Sequence, residues 1–100
     1  MHIMIHDYVK SDTAVSYDDG KKCYEDILKN IDDDKVILDF RGVEFVITAF
    51  LNPVIGDLIL QKGKQVMAKI EIANANKNIM DKIKIVVEGS LLKREDMSEI

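Results

Sequence analysis

Little in this chain bends or staples a backbone. One proline and five glycines in 100 residues exclude collagen-like and low-complexity sequence and argue against a many-turned β-sandwich. A single cysteine excludes an internal disulfide framework and any cysteine-based zinc finger within one chain. Basic residues are outnumbered: 14 Lys and Arg against 18 Asp and Glu leave a net charge of -4 and a pI near 5.1. A nucleic-acid binder needs a basic surface for its phosphate contacts, so that class is set aside. Long apolar runs are missing too. The longest, residues 45–51, is broken only by Thr48 and is too short to cross a bilayer. Residues 1–10 lack the apolar stretch of a signal peptide, and no Asn-x-Ser/Thr sequon occurs. Together with an unpaired cysteine, this predicts a cytoplasmic protein.

What is present describes a folded domain. Hydrophobic residues are 47% and charged residues 32%, a globular balance. At 11.4 kDa there is room for one domain spanning residues 1–100, burying about 65% of the unfolded chain's surface. Charge is uneven: residues 1–57 sum to -6 and residues 58–100 to +2. Such a surface is mostly solvation, with some capacity to steer a partner.

Periodicity orders the elements. Ile3 and Ile5 alternate with polar neighbours and predict a strand over residues 2–6. Residues 10–15 read as a loop. Ser16 is a natural N-cap, with Asp18 and Asp19 at the positive end of the helix that follows. Tyr17, Cys23, Tyr24, Ile27, Leu28 and Ile31 make its apolar stripe. Asp32, Asp33 and Asp34 make a turn, and residues 35–40 make a buried, partly β-branched strand. Arg41 and Gly42 turn the chain, and residues 43–47 bring it back to Thr48, a plausible cap for a second helix. Pro53 lies inside that helix, so its first turns should be distorted. The alternative start has Asn52 as cap and Pro53 in the first helical position. Residues 62–64 end the helix. Val66, Ala68, Ile70 and Ile72 predict another strand, and residues 74–78 a polar loop. A third helix follows, closed by Gly89, although residues 82–87 alone also read as a strand. Residues 91–100 are expected to add an edge element or to fray. Strands alternating with helices predict an α/β domain with a mostly parallel sheet.

No catalytic set emerges. There is no phosphate-cradling glycine loop and no Gly-x-Ser-x-Gly elbow. His2 and His6 share a face if their segment is a strand, but spacing fixes no third metal ligand, so solvated histidines are expected. The three consecutive aspartates lack calcium-loop spacing. Cys23 belongs to the core stripe. Asp39, at the end of the buried strand, reads as a structural acid bonded to nearby amides. The competing role is a receiver-like phosphoacceptor, for which residues 5–7 supply only one further acid. Thr48 either caps its helix or accepts a phosphate at the positive helix end.

The stretch Val36-Ile37-Leu38-Asp39-Phe40-Arg41-Gly42-Val43-Glu44-Phe45-Val46-Ile47-Thr48-Ala49-Phe50-Leu51-Asn52 resembles the central strand, link and helix start of STAS domains. These are the bacterial anti-sigma-factor antagonists and the cytoplasmic tails of sulfate transporters. It is more similar still to the STAS-like domains of unknown function, where a Phe-Leu-Asn-like run opens the helix. In antagonists the link reads Asp-Ser-Ser-Gly, and its first serine is phosphorylated by a kinase-like anti-sigma factor. Thr48 aligns with that serine, while Ile47, Ala49 and Phe50 replace the aspartate, the second serine and the glycine.

The resemblance implies a STAS-like α/β fold with a mostly parallel or mixed sheet. It also implies a non-catalytic regulatory module; the charge, the short apolar runs and the ligand spacing above add the expectation of no nucleic acid, no membrane and no cofactor or metal. The implied partner is a histidine-kinase-like ATPase or anti-sigma-like protein, contacting Thr48 and the helix surface near Asn52 and Asp57. The alternatives are a small-ligand or nucleotide sensor using the 74–78 loop, and a receiver using Asp39. Nothing in the chain specifies an oligomeric state.

Overall fold

Val36, Leu38 and Phe40 are fully buried, and the strand that carries the first two organises the domain. A computed structural model describes residues 1–98, and side chains through residue 93. Strand β1 (His2–Met4) leads into a short helix α1 (Ile5–Val9), then β2 (Thr13–Ala14) and α2 (Tyr17–Asn30). Next come β3 (Val36–Asp39), β4 (Phe45–Val46) and α3 (Thr48–Leu51). A π-helical turn (Asn52–Gly56) joins α3 to α4 (Asp57–Lys62). A 3-10 stretch (Lys64–Lys69), β5 (Ile70–Ala73) and α5 (Lys77–Ser98) complete the chain.

The main sheet has the order β1-β3-β5, and β2 pairs with β4 separately. Every pairing is parallel, as the alternation of strands and helices predicts. One face of the main sheet carries Ile3, Val36 and Leu38 into the core, where Ile70 and Ile72 also pack.

Helix α2 forms as expected. Ser16 Oγ accepts from the Asp19 amide at 3.3 Å, and Cys23 and Ile27 are fully buried on its inner face. Gly20 allows a close approach of two elements. A Cβ there would lie 2.4 Å from the Phe50 carbonyl oxygen and 2.8 Å from Pro53 Cγ, so α2 crosses residues 50–53 at a distance that no side chain permits.

Several segments depart from expectation, each for a local reason. The first strand stops at Met4, and α1 takes Ile5, His6 and Tyr8; five residues are too few to display a helical period. β2 lies within the expected loop, because two residues are too few to show alternation. Residues 64–69 are 3-10 rather than strand. Gly63, at φ 93°, turns the chain, and Lys69 Nζ donates to the carbonyls of Ile31 and Asp32. Gly89 does not close α5. The helix continues through residues 91–98, where an edge element or frayed tail was expected; residues 99 and 100 lie outside the described residues. Residues 82–87 are likewise helix. No helix among the described residues is long and apolar enough to cross a membrane.

Candidate functional site

The continuous helix of residues 48–62 lies beside α5. Lys82 Nζ donates to the Val46 carbonyl at 2.6 Å, and a Cβ on Gly56 would come within 2.9 Å of Ser90 Oγ. The two helices therefore run side by side in the same direction, and small residues let them approach. Between them is a groove of about 470 Å³. One wall is Thr48, Asn52, Gly56, Asp57 and Leu60, and the other is Ile85, Val86, Gly89, Ser90 and Lys93.

Pro53 explains how three of these polar groups come into line. Proline has no amide hydrogen to give to Ala49, and its ring crowds the turn before it. The chain responds with a π turn, in which the Asp57 amide bonds to the Asn52 carbonyl five residues back. In a regular α-helix, five residues would carry Asp57 about 140° around the axis from Asn52. The wider turn instead sets it one turn below Asn52, on the groove wall. Wide turns of this kind recur at functional sites in helices.

Thr48 stands at the exposed end of the groove. It is the first helical residue, not the cap. Ile47 holds the cap position in extended geometry (φ -116°, ψ 161°), and no side chain caps the helix. The Ile47 amide bonds to the Ala14 carbonyl, so the helix starts directly where the strand pairing ends, one residue earlier than expected. The Thr48 hydroxyl is thus not engaged as a cap. Lys82, bonded to the carbonyl of Val46 two residues before Thr48, holds its ammonium 3.9 Å from the centre of the Phe45 ring, a cation–π arrangement. Asp57 and Lys93 make no ion pair among the described residues.

Asp39 is elsewhere, at the carboxyl end of β3, and does not line the groove. Its Oδ1 accepts from the Arg41 amide and from Asn74 Nδ2, both at 2.9 Å. Its Oδ2 lies 2.8 Å from His2 Nε2. The Asn74 bond, the Arg41 amide and His2 together hold its pKa down at about 2. Asn74 adopts φ 55°, a left-handed conformation that asparagine tolerates. With both oxygens engaged, attack on a phosphoryl donor would first have to break these bonds.

His2 and His6 do not share a face. His2 bonds Asp39 rather than water alone, while His6 is on α1 against the Gly42 turn. Among the described residues, no group of three or more His, Cys, Asp or Glu side chains is placed to hold a metal ion. Cys23 is fully buried, and desolvation raises its pKa to about 12. In the 74–78 loop, Asn74 is bound to Asp39. Asn76 donates to the Glu44 carbonyl and caps α5 by accepting from the Ile79 amide.

The second groove wall was not found from sequence. Its one signal is Ser90, a small side chain inside a helix that Gly56 approaches closely. By its position alone, Gly89 reads as a helix terminator.

Parallel strands with interleaved helices, and a groove at the helix that follows the central strand, define a small STAS-like α/β domain. The chain belongs to the family described as STAS-like domain of unknown function (DUF4325), whose model matches residues 19–80. The match takes in Thr48, Asn52 and Asp57 but ends before the Ile85–Lys93 wall. No curated protein and no solved structure gives a significant match to the chain.

Proposed function

We propose that this domain is a regulatory protein-interaction module without catalysis of its own, and that its partner docks in the groove between residues 48–60 and α5. The observation that carries the reading is the alignment of Thr48, Asn52 and Asp57 on one wall, facing an apolar and small-residue wall that ends in Lys93. Small floor residues admit an inserted side chain, and unpaired groups of both charges reward a complementary surface. The resemblance of residues 36–52 to antagonist domains points to a histidine-kinase-like ATPase or anti-sigma-like partner in a partner-switching pathway. Thr48 is the candidate phosphoacceptor. A phosphate there would add a charge of about -1.5 to -2 beside the helix N-terminus and near Lys82.

The test is titration calorimetry with the candidate ATPase encoded nearest the domain, with and without nucleotide. The expected result is a complex at micromolar concentration that the Asn52→Ala, Asp57→Ala double variant weakens about tenfold or more, a loss of about 1.4 kcal/mol. Mass spectrometry after incubation with ATP should place any phosphate on Thr48. Absence of a complex at tens of micromolar ends the proposal.

The groove volume also lies within the range of small-molecule sites, so a ligand sensor is the second reading. A thermal-shift panel of nucleotides and small polar metabolites tests it, because a ligand that binds the native state raises the melting temperature.

A further inference from the structure

All-parallel sheets occur almost only where both faces are covered. The β1-β3-β5 sheet is parallel throughout, yet its two faces differ. One enters the core through Ile3, Val36 and Leu38. The other presents exposed His2 and Glu71 with half-buried Met4, Ile37 and Ala73. Met4 and Ile37 are apolar and do not pack against the core cluster. Ile37 lies on the central strand, where a covered sheet would bury it.

We propose that a second copy of this chain covers that face. The register supplies the argument. His2 pairs with Ile37, and Ile37 with Glu71, so one rung reads imidazole, apolar side chain, carboxylate across the sheet, a hydrogen-bonding group at one edge and an acceptor at the other. A two-fold axis running along β3, midway between two stacked faces, brings Ile37 over Ile37. It also brings His2 of each copy over Glu71 of the other. The same rotation sets Met4 over Ala73, since these flank Asp39 in the next rung. The His2–Glu71 and Met4–Ala73 pairs each form twice, and Ile37 meets its own counterpart once on the axis. Asp39 adds no repulsion at the axis, because it is 4% exposed and three donors cover its oxygens. Strands of the two sheets run in the same direction, which suits aligned face-to-face packing.

Three strands of about four residues offer on the order of 200 Å² per copy. A standard stable interface buries roughly 800 Å² per partner. The dimer is therefore weak. This inference is independent of the partner proposed for the groove.

Sedimentation equilibrium of the full chain, from roughly 10 µM to 1 mM, tests it. The weight-average mass should rise towards twice that of the monomer. Ile37→Asp should abolish the rise while circular dichroism stays native. Ile37→Thr, which keeps a β-branched side chain, serves if the aspartate variant does not fold. Glu71→Lys should weaken association several-fold, and Asn52→Ala, on the groove, should leave it unchanged. A monomer at every concentration overturns the proposal and leaves the face to a different protein. A dimer that both Ile37 variants leave intact overturns it as well, because association then uses another surface.

Discussion

Asp39 keeps its charge while almost fully buried, and its three donors are the reason. A carboxylate removed from water must recover the lost hydration through hydrogen bonds. Here the Asn74 amide, the Arg41 backbone amide and His2 supply them, from the end of β5, the following turn and β1. One side chain thereby ties all three strands of the main sheet. The folded-state pKa of about 2 lies below the ordinary 3.8. Its contribution is therefore fully present above about pH 4 and is lost as the pH falls towards 2. Asp39→Asn should lower the urea midpoint at pH 7, and the gap from the parent protein should narrow between pH 4 and pH 2. A gap that is constant down to pH 2 would mean that the charge is not its source. The residue itself was legible in sequence as a strand-end acid before an Arg-Gly turn, and its bond to the Arg41 amide is of the expected kind. His2 and Asn74 were not, because each is more than thirty residues away and only strand order brings them near.

At the scale of elements, two glycines with opposite surroundings make the sharpest comparison. Both lie inside helices, where alanine is favoured by about 1 kcal/mol. A Cβ at Gly89 meets nothing within 4 Å, so Gly89→Ala should stabilise the fold by about 0.5–1 kcal/mol. The same methyl group would enter the groove and weaken partner docking. At Gly20 a Cβ would strike the Phe50 carbonyl and Pro53. Backbone cannot yield as a flexible side chain can, and overpacking costs roughly 1–3 kcal/mol or more. The clash should outweigh the propensity gain, so Gly20→Ala should destabilise. Urea denaturation of the two variants checks both signs. These positions also mark where reading the sequence succeeds and fails. The long α2 carried its cap and stripe openly, and β3 its buried run. Gly89 looked like a helix end because a glycine's role depends on its neighbours in space. Val66 alternated with Ala68 and Ile70 as a strand would, yet Gly63 and the Lys69 anchor wind residues 64–69 into a 3-10 turn. Thr48, Asn52 and Asp57 were identified by resemblance and helical position. Their alignment depended on the π turn at Pro53, of which the sequence announced only a distortion.

At the scale of the whole molecule, β3 pairs with β1 from the start of the chain and with β5 from its second half. Its core-facing residues pack in one cluster with Cys23, Ile27, Phe50, Ile55 and Ile83. Removing any one element strips cover from the others, so the domain should unfold in a single transition, as small domains usually do. Cys23 can report this. Its side chain is fully buried and its pKa is raised to about 12, whereas reaction needs an accessible thiolate. In the folded state the reactive thiolate is therefore both scarce and out of reach of the reagent. Labelling by a thiol reagent should therefore proceed through opening of α2. Because α2 lies across residues 50–53 at Gly20, α2 should open only when the core opens. The free energy from labelling rates across low urea should then equal that from circular dichroism. Gly20→Ala should speed labelling about tenfold for each 1.4 kcal/mol it removes from stability. Labelling much faster than the global equilibrium allows would show instead that α2 detaches alone, leaving residues 48–62 and α5 to stand as a separate unit.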